Sequence, residues 1–252
     1  MIYVTGDTHA EFRYRFNTEN FPEQRQMTKD DFLIICGDFG GIWDIGWESK
    51  NEKYWLDWFE SRPYTLLFVD GNHENFDRLY GYPVKEWHGG LVHEIRPHVL
   101  HLMRGQVFEI DGKKIFAFGG ARSHDIDGGI LSPEDPDFKK KKHDLDKEHI
   151  CYRIDHLSWW ERELATEEEM EEAYRNLQAN GNEADFVITH CCATSTQTLL
   201  GGSLFQPDAV TDFLEYVKTH VTYKKWFFGH YHDNRNVSDK EILIYEQIIR
   251  IS

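Results

Sequence analysis

The stretch Thr65-Leu66-Leu67-Phe68-Val69-Asp70-Gly71-Asn72-His73-Glu74 passes from apolar to polar without a break. Its first part is a continuous run of β-branched, aliphatic and aromatic side chains, the composition of a strand buried on both faces of a parallel sheet. The Gly-Asn-His-Glu that follows is the polar end of that strand. The pattern recurs along the chain: Ile2 to Thr5 leads into Gly6-Asp7-Thr8-His9, and Phe32 to Cys36 into Gly37-Asp38-Phe39-Gly40. Phe186 to Thr189 leads into His190-Cys191, and Trp226 to Phe228 into Gly229-His230-Tyr231-His232. In open α/β sheets ligands sit beyond the carboxyl ends of strands, so clusters scattered in sequence converge on one crevice. The expected class is therefore α/β.

Outside these strands the signals change. Gln106 to Ile110 and Lys114 to Phe118 flank Asp111-Gly112-Lys113, a hairpin, so the middle of the chain is read as antiparallel. Ser132 to Lys147 mixes prolines, acids and the run Lys139 to Lys142, and reads as a mobile surface excursion with a solvated lysine face. Thr166 with Glu169 forms a capping box that opens a helix, with Gly181 as its stop. A second helix is expected over Pro207 to Val217, and Ile242 to Ile251 supplies one or two closing strands. The histidines outside the clusters include His88, His93, His98 and His101, and most of them read as plain surface or loop residues.

A length of 252 residues with 40% hydrophobic and 15% aromatic content suits one large domain over 1–252. Asp plus Glu number 44 against 28 Lys plus Arg, and the net charge of −16 opposes nonspecific binding to nucleic acid or to an anionic membrane. A phosphate-bearing substrate then needs a local positive centre. The chain reaches Gly6-Asp7 with no basic region and apolar run before it, and no stretch approaches the roughly 18 apolar residues of a membrane span. Cys36, Cys151, Cys191 and Cys192 are unevenly spaced and contain no CxxC, which argues against a zinc ribbon or a secreted disulfide framework. A cytoplasmic location is expected.

Asp7, His9, Asp38, Asn72, His190, His230 and His232 are all oxygen or imidazole donors, the mix that suits Mn, Fe, Zn or Ni. Two such ions about 3.5 to 4 Å apart repel unless an anion lies between them, and Asp38 is the candidate bridge. Two divalent ions less Asp7, Asp38 and a bridging hydroxide leave about one positive charge for a phosphate. Asn72 and the neutral imidazoles do not cancel it. His73 diverges from its ligand neighbour and is free to donate a proton to the leaving oxygen, with Glu74 placed to orient it.

In type, order and spacing these clusters resemble those of the calcineurin-like metallophosphoesterase superfamily: Asp-x-His, Gly-Asp, Gly-Asn-His-Asp/Glu, a lone His, and Gly-His-x-His. The resemblance spans nearly the whole chain. It implies a four-layer α-β-β-α sandwich of two mixed sheets flanked by helices. It also implies one metal on Asp7, His9, Asp38 and His232 and another on Asp38, Asn72, His190 and His230, with His73 as proton donor. The implied activity is hydrolysis of a small phosphorylated substrate, monoester or diester, by a metal-bridging hydroxide. The alternatives are a strict phosphodiesterase on cyclic nucleotides or nucleic-acid ends, and a metal-binding interaction module without turnover. The family's protein phosphatases continue the second cluster as Gly-Asp-x-x-Asp-Arg, whereas here Gly37-Asp38 is followed by Phe39-Gly40-Gly41-Ile42. That departure is more similar to the small bacterial and phage phosphoesterases.

Further residues have two readings each. Arg122 and His124 follow the strand ending at Phe118; they line the crevice, Arg122 as a phosphate clamp, or they belong to a surface turn. Trp55, Trp58 and Phe59 recur at helical spacing and read as a core face. For Trp43 and Trp47 in the preceding loop packing is favoured, and stacking on a base or an aryl leaving group is the alternative. Cys191 and Cys192 read as small buried residues beside the site rather than thiolate ligands.

Overall fold

The computed structural model describes residues 1–252, Ser203 by its backbone alone. The strands, in chain order, are β1 (Ile2–Thr5), β2 (Phe32–Cys36), β3 (Thr65–Val69), β4 (Val84–Trp87), β5 (Gly90–Arg96), β6 (Val99–Leu102), β7 (Gln106–Ile110), β8 (Lys113–Phe118), β9 (Ile130–Leu131), β10 (Arg153–Ile154), β11 (Glu183–Thr189), β12 (Thr222–Phe228), β13 (Arg235–Asn236), β14 (Glu241–Leu243) and β15 (Ile249–Arg250). The α-helices are α1 (Phe12–Arg15), α2 (Lys50–Glu60), α3 (Phe76–Leu79), α4 (Phe138–Glu148), α5 (Glu167–Ala179), α6 (Thr194–Gly201) and α7 (Ala209–His220).

One sheet has the order β15-β1-β2-β3-β6-β5-β4 and the other β13-β14-β12-β11-β8-β7, while β9 and β10 pair with each other apart from both. The strands β1, β2, β3 and β6 run parallel, as do β8, β11, β12 and β14, with antiparallel strands towards the edges.

Alternation of side chains along each strand builds the layers. Ile2 and Val4, Ile34 and Cys36, and Leu67 and Val69 face inwards and meet Ile115, Ala117, Phe186, Ile188 and Phe227 of the second sheet. On the opposite face of the first sheet Tyr3, Leu33, Ile35, Leu66 and Phe68 pack with Phe12 of α1 and with Leu56 and Phe59 of α2. Outside the second sheet Phe116, Phe118, Val187, Trp226 and Phe228 pack with Ala173 and Leu177 of α5 and with Phe213, Leu214 and Val217 of α7. Coverage on both faces is why the stretches Ile2 to Val4, Phe32 to Cys36, Leu66 to Val69, Ile115 to Phe118 and Trp226 to Phe228 are apolar at every position, and the result is the four-layer α-β-β-α sandwich. Each fully buried leucine contributes on the order of 2 kcal/mol of hydrophobic stabilisation. Among the described residues no helix is long and apolar enough to cross a membrane.

Several expectations need revision. The excursion over Ser132 to Lys147 contains α4, which has no buried residue; long unbranched lysines favour helix, and Lys141 and Lys142 pair with Asp135 and Asp146 on its solvated face. The helix expected from Pro207 starts at Ala209, because the Asp208 carboxylate accepts from the Thr211 N–H at 2.9 Å and takes the capping position. His93 and His101 are buried rather than superficial. They face each other across β5 and β6, His93 Nδ1 lies 2.9 Å from His101 Nδ1, and His101 Nε2 donates to Asp70 Oδ1 at 3.0 Å. The capping box of α5 forms as expected, and Gly181, at φ +73°, follows its end.

Candidate metal centre

All five polar clusters lie at the carboxyl ends of parallel strands, on the rim where the two sheets meet. The chain must turn sharply there to aim side chains back over the sheet ends. His9 (φ 44°), Asp38 (φ 45°), His230 (φ 69°) and His232 (φ 48°) accordingly adopt the left-handed conformation that side-chain-bearing residues rarely visit. Such conformations cost on the order of 1 to 3 kcal/mol each and persist where their surroundings over-determine them. The surroundings here are reciprocal hydrogen bonds between clusters. Both oxygens of Asp7 accept from the His230 N–H at 2.9 and 3.0 Å, Asp38 Oδ1 accepts from the His73 N–H at 2.8 Å, and the Asp38 carbonyl accepts from the N–H groups of Thr8 and His9.

The donor atoms converge. One atom each from Asp7, His9, Asp38 and His232 lies within 4.8 Å of the others. His9 Nε2 is 2.9 Å from His232 Nε2 and 3.6 Å from Asp38 Oδ2, and His232 Nε2 is 3.2 Å from Asp7 Oδ2. Across Asp38, His190 Nε2 stands 3.4 Å from Asp38 Oδ1 and 3.1 Å from Asn72 Oδ1, with the His230 ring 4.9 Å from that of His190 between centroids. Ligands about 2.1 Å from a shared ion, at tetrahedral or octahedral angles, stand roughly 3.0 to 3.4 Å apart. The separations of 2.9 to 3.4 Å among His9, His232, Asp7, His190, Asn72 and Asp38 come close to that requirement, while His9 Nε2 stands further off, 3.6 Å from Asp38 Oδ2 and 3.9 Å from Asp7 Oδ2. His190 donates its other nitrogen, Nδ1, to the Cys36 carbonyl at 2.9 Å, which turns Nε2 towards the site.

Charge in the site is set by two carboxylates buried to 0% and 1% exposure. Burial alone raises the Asp38 carboxyl, but His190, by charge and hydrogen bond, and then His73 and His9 hold it well below the usual carboxylate range. Burial pulls His190 down, yet Asp38 and Asp7 carry it up to about 10. His230 is held well below the ordinary imidazole value by burial and by the neighbouring His190 and His124. The carboxylates thus draw positive charge into a place where a cation is the natural occupant.

Around the donors, Ser123 and Glu163 set the amide of Asn72. Asn72 Nδ2 donates to Ser123 Oγ at 3.2 Å, and Ser123 Oγ donates to Glu163 Oε2 at 2.6 Å, which leaves Asn72 Oδ1 facing His190. The sequence reading missed this relay. Cys191 and Cys192 are buried, and burial pushes the Cys192 thiol up to about 12, so they remain thiols beside the site.

Glu74 does not orient His73. In the bend over residues 72 to 74 neighbouring side chains point to opposite sides, and the buried Glu74 carboxyl turns inward to accept from the Phe39 N–H at 2.8 Å, where burial and Asp38 raise it well above its ordinary value. Its role is to hold the loop that carries Asp38. His124 does reach the crevice, its Nε2 3.2 Å from His230 Nε2, and with Asp125 it lines a cavity of about 250 Å³ together with Asp38, Asn72, His73 and His230. Arg122 does not line that cavity. Ala121 and Ser123 point inwards, so alternation leaves Arg122 exposed.

The cation at the crevice is Arg153, at the start of β10. Its side chain is 15% exposed, its Nε and Nη2 both pair with Asp125, and Nη2 stands 3.3 Å from His73 Nε2. Burial, opposed by Asp38 and reinforced by Arg153, holds His73 below its ordinary value.

The fold and this donor set define a metallophosphoesterase, and residues 1–234 match the profile of the calcineurin-like phosphoesterase family. The chain belongs to that family of metal-dependent phosphoric ester hydrolases. Among its relatives, lariat debranching enzyme A of Xenopus laevis is 25% identical over 151 residues, which is 55% of this chain and 27% of the relative. The lariat debranching enzymes of Homo sapiens and Drosophila melanogaster are each 26% identical, over 140 residues (51% of this chain) and 137 residues (50%), and 24% of each relative is covered. The matched stretch therefore spans about a quarter of these relatives' length.

Proposed function

We propose that this chain is a dinuclear phosphoesterase that hydrolyses a small phosphorylated substrate directly, without a covalent phosphoenzyme. The observation that carries this reading is the convergence of the donors around Asp38, at separations from 2.9 to 3.9 Å. Asp7, His9, Asp38 and His232 would hold one ion and Asp38, Asn72, His190 and His230 the other, and ions held there activate water and neutralise phosphate charge. Mn, Fe, Zn and Ni all suit the donors. Similarity to lariat debranching enzymes favours a phosphodiester over a monoester.

The protein's own groups divide the remaining work. Asn72 ligates as a neutral group and preserves net positive charge for the phosphate. Arg153, whose Nε and Nη2 are held by Asp125, would attract a non-bridging phosphate oxygen through its charge and its remaining N–H groups, the clamp role the sequence reading weighed for Arg122. In the reaction an oxygen of water bonds to phosphorus, the bond from phosphorus to the leaving oxygen breaks, and the proton that water loses balances the one His73 gives to that oxygen.

The test is turnover of a paired aryl phosphate monoester and diester by the Mn-loaded protein, beside Asp38→Asn and His73→Ala. Asp38→Asn is expected to lose a hundredfold or more in kcat. His73→Ala is expected to lose roughly 10²- to 10⁴-fold on an alkyl ester and much less on a nitrophenyl ester, whose leaving oxygen needs no proton. A wild-type protein that binds fewer than two ions and turns over neither ester would end the proposal.

A further inference from the structure

Next to the metal centre, on the His9 and His73 side, lies a second cavity of about 270 Å³ that extends from His9 and His73 to Trp43, Asp44 and Asn51. We propose that this cavity is the leaving-group site and that it takes a nucleobase-sized aromatic ring stacked on Trp43. The proposal deepens the phosphoesterase reading and rests on it for the direction in which the leaving group departs.

Trp43 is not a core residue. Its indole is half-buried, lies 5.9 Å from the His73 ring at an interplanar angle of 31°, and is backed edge-on by Trp160 at 5.8 Å and 74°. Trp160 is itself fixed, 2% exposed, with Nε1 donating to Asp77 Oδ2 at 2.8 Å. One flank of Trp43 is thus supported while the ring lines the cavity beside the proposed proton donor.

The loop beneath it is held by buried polar groups with no catalytic role of their own. The N–H groups of Trp43 and Asp44 donate to Glu52 Oε1, Arg78 Nη1 donates to Glu52 Oε2 at 2.6 Å and to the Asp44 carbonyl at 2.8 Å, and Asn75 Nδ2 donates to the same carbonyl at 2.9 Å. Burying a charged pair costs desolvation, and here it fixes the backbone on which the indole stands. Trp47, four residues further on, is 78% exposed and shares none of this support.

The volume lies just below the range typical of drug-sized ligand pockets and holds a ring the size of a nucleobase. A rigid indole gives a base a stacking face whatever its identity. Asp44 and Asn51 offer acceptors to the exocyclic amine of adenine, guanine or cytosine. The base belongs to a free nucleotide or to the end of a strand; the net charge of −16 favours the free nucleotide.

The experiment uses the Mn-loaded full chain and the methyl phosphodiesters of adenosine 5′-phosphate and ribose 5-phosphate. The readout is the ratio of their kcat/KM values. Stacking on this scale corresponds to a ratio that falls roughly tenfold or more in Trp43→Ala and is largely kept in Trp43→Phe. A merely structural role for Trp43 lowers both esters together and leaves the ratio unchanged, which would overturn the assignment. Saturation-transfer NMR with free adenosine separates the two readings. If no phosphoester is hydrolysed but adenosine binds and Trp43→Ala abolishes binding, the cavity assignment stands and the enzymatic reading falls. If wild type binds neither adenosine nor adenine, the assignment falls whatever the turnover. Dinucleotides and short oligonucleotides distinguish the sources: equal affinity per molecule indicates free nucleotides, and affinity that grows with length indicates strand ends.

Discussion

A Cβ added at Gly71 would lie 2.0 Å from Asp38 Oδ1, and one added at Gly229 would lie 1.9 Å from Asp7 Oδ1. These glycines are spaces kept clear for the carboxylate of another cluster, so the clusters interlock residue against residue. Gly71→Ala is expected to lower hydrolysis at least a hundredfold and reduce bound metal below one ion per chain while the far-UV circular dichroism stays native; normal metal content would contradict the interlock. The donor residues were legible because their types and order carry chemistry that needs no coordinates. Arg153 was not, because it reaches His73 from a two-residue strand and through an ion pair with Asp125, contacts that leave no spacing in the sequence. Arg153→Ala is expected to raise KM more than it lowers kcat, with partial recovery in Arg153→Lys, and steady-state kinetics on a diester will check it. The misplacement of Glu74 has the same origin, since which way a bend turns each of two neighbouring side chains is a tertiary fact.

Strands β1, β2 and β3 were readable to the residue because each is covered on both faces, so that apart from the buried Thr5 and Thr65 every position is apolar. The hairpin of β7 and β8 followed from its turn. The β4-β5-β6 meander was missed because β4 is an edge strand with most of its residues exposed, and α4 because it has no apolar face. In α2, Glu52 is the structural link between helix and loop, and Glu52→Gln is expected to cost about 1 to 3 kcal/mol in urea unfolding by leaving Arg78 without its charge partner. Within β5, burial and the facing His101 push His93 down to about 3. The unfolded chain, with an imidazole near about 6.5, binds one more proton than the folded chain between those values. This contribution to stability is complete above about pH 6.5 and is lost as pH falls, by at most about 1.4 kcal/mol per pH unit. Urea titrations of the chelated protein at pH 7 and pH 5 should show a smaller difference for His93→Gln than for wild type; equal differences would assign the slope elsewhere.

At the scale of the molecule, the inter-sheet core and the candidate metal centre join the halves of the chain, beside the pairing of β15 with β1. Leu67, at 0% exposure in that core, is expected to cost about 2 to 5 kcal/mol when cut to alanine. Ions that bind only the folded state add roughly 2.7 kcal/mol at a hundred times their dissociation constant, so chelation should lower the melting temperature and Mn restore it, while Asp38→Asn blunts the response. Calorimetry with and without Mn measures the difference, and an unchanged Tm would argue against tight ions. The centre also has a chronology. His9 and His232, side by side at 2.9 Å, are 223 residues apart. During synthesis Asp7, His9 and Asp38 emerge early, and under the proposed ligand assignment each ion would still lack histidines that the ribosome has yet to make. Tight capture of metal would then be deferred until His232 is in place, and an interrupted chain would carry no hydrolytic centre into the cell.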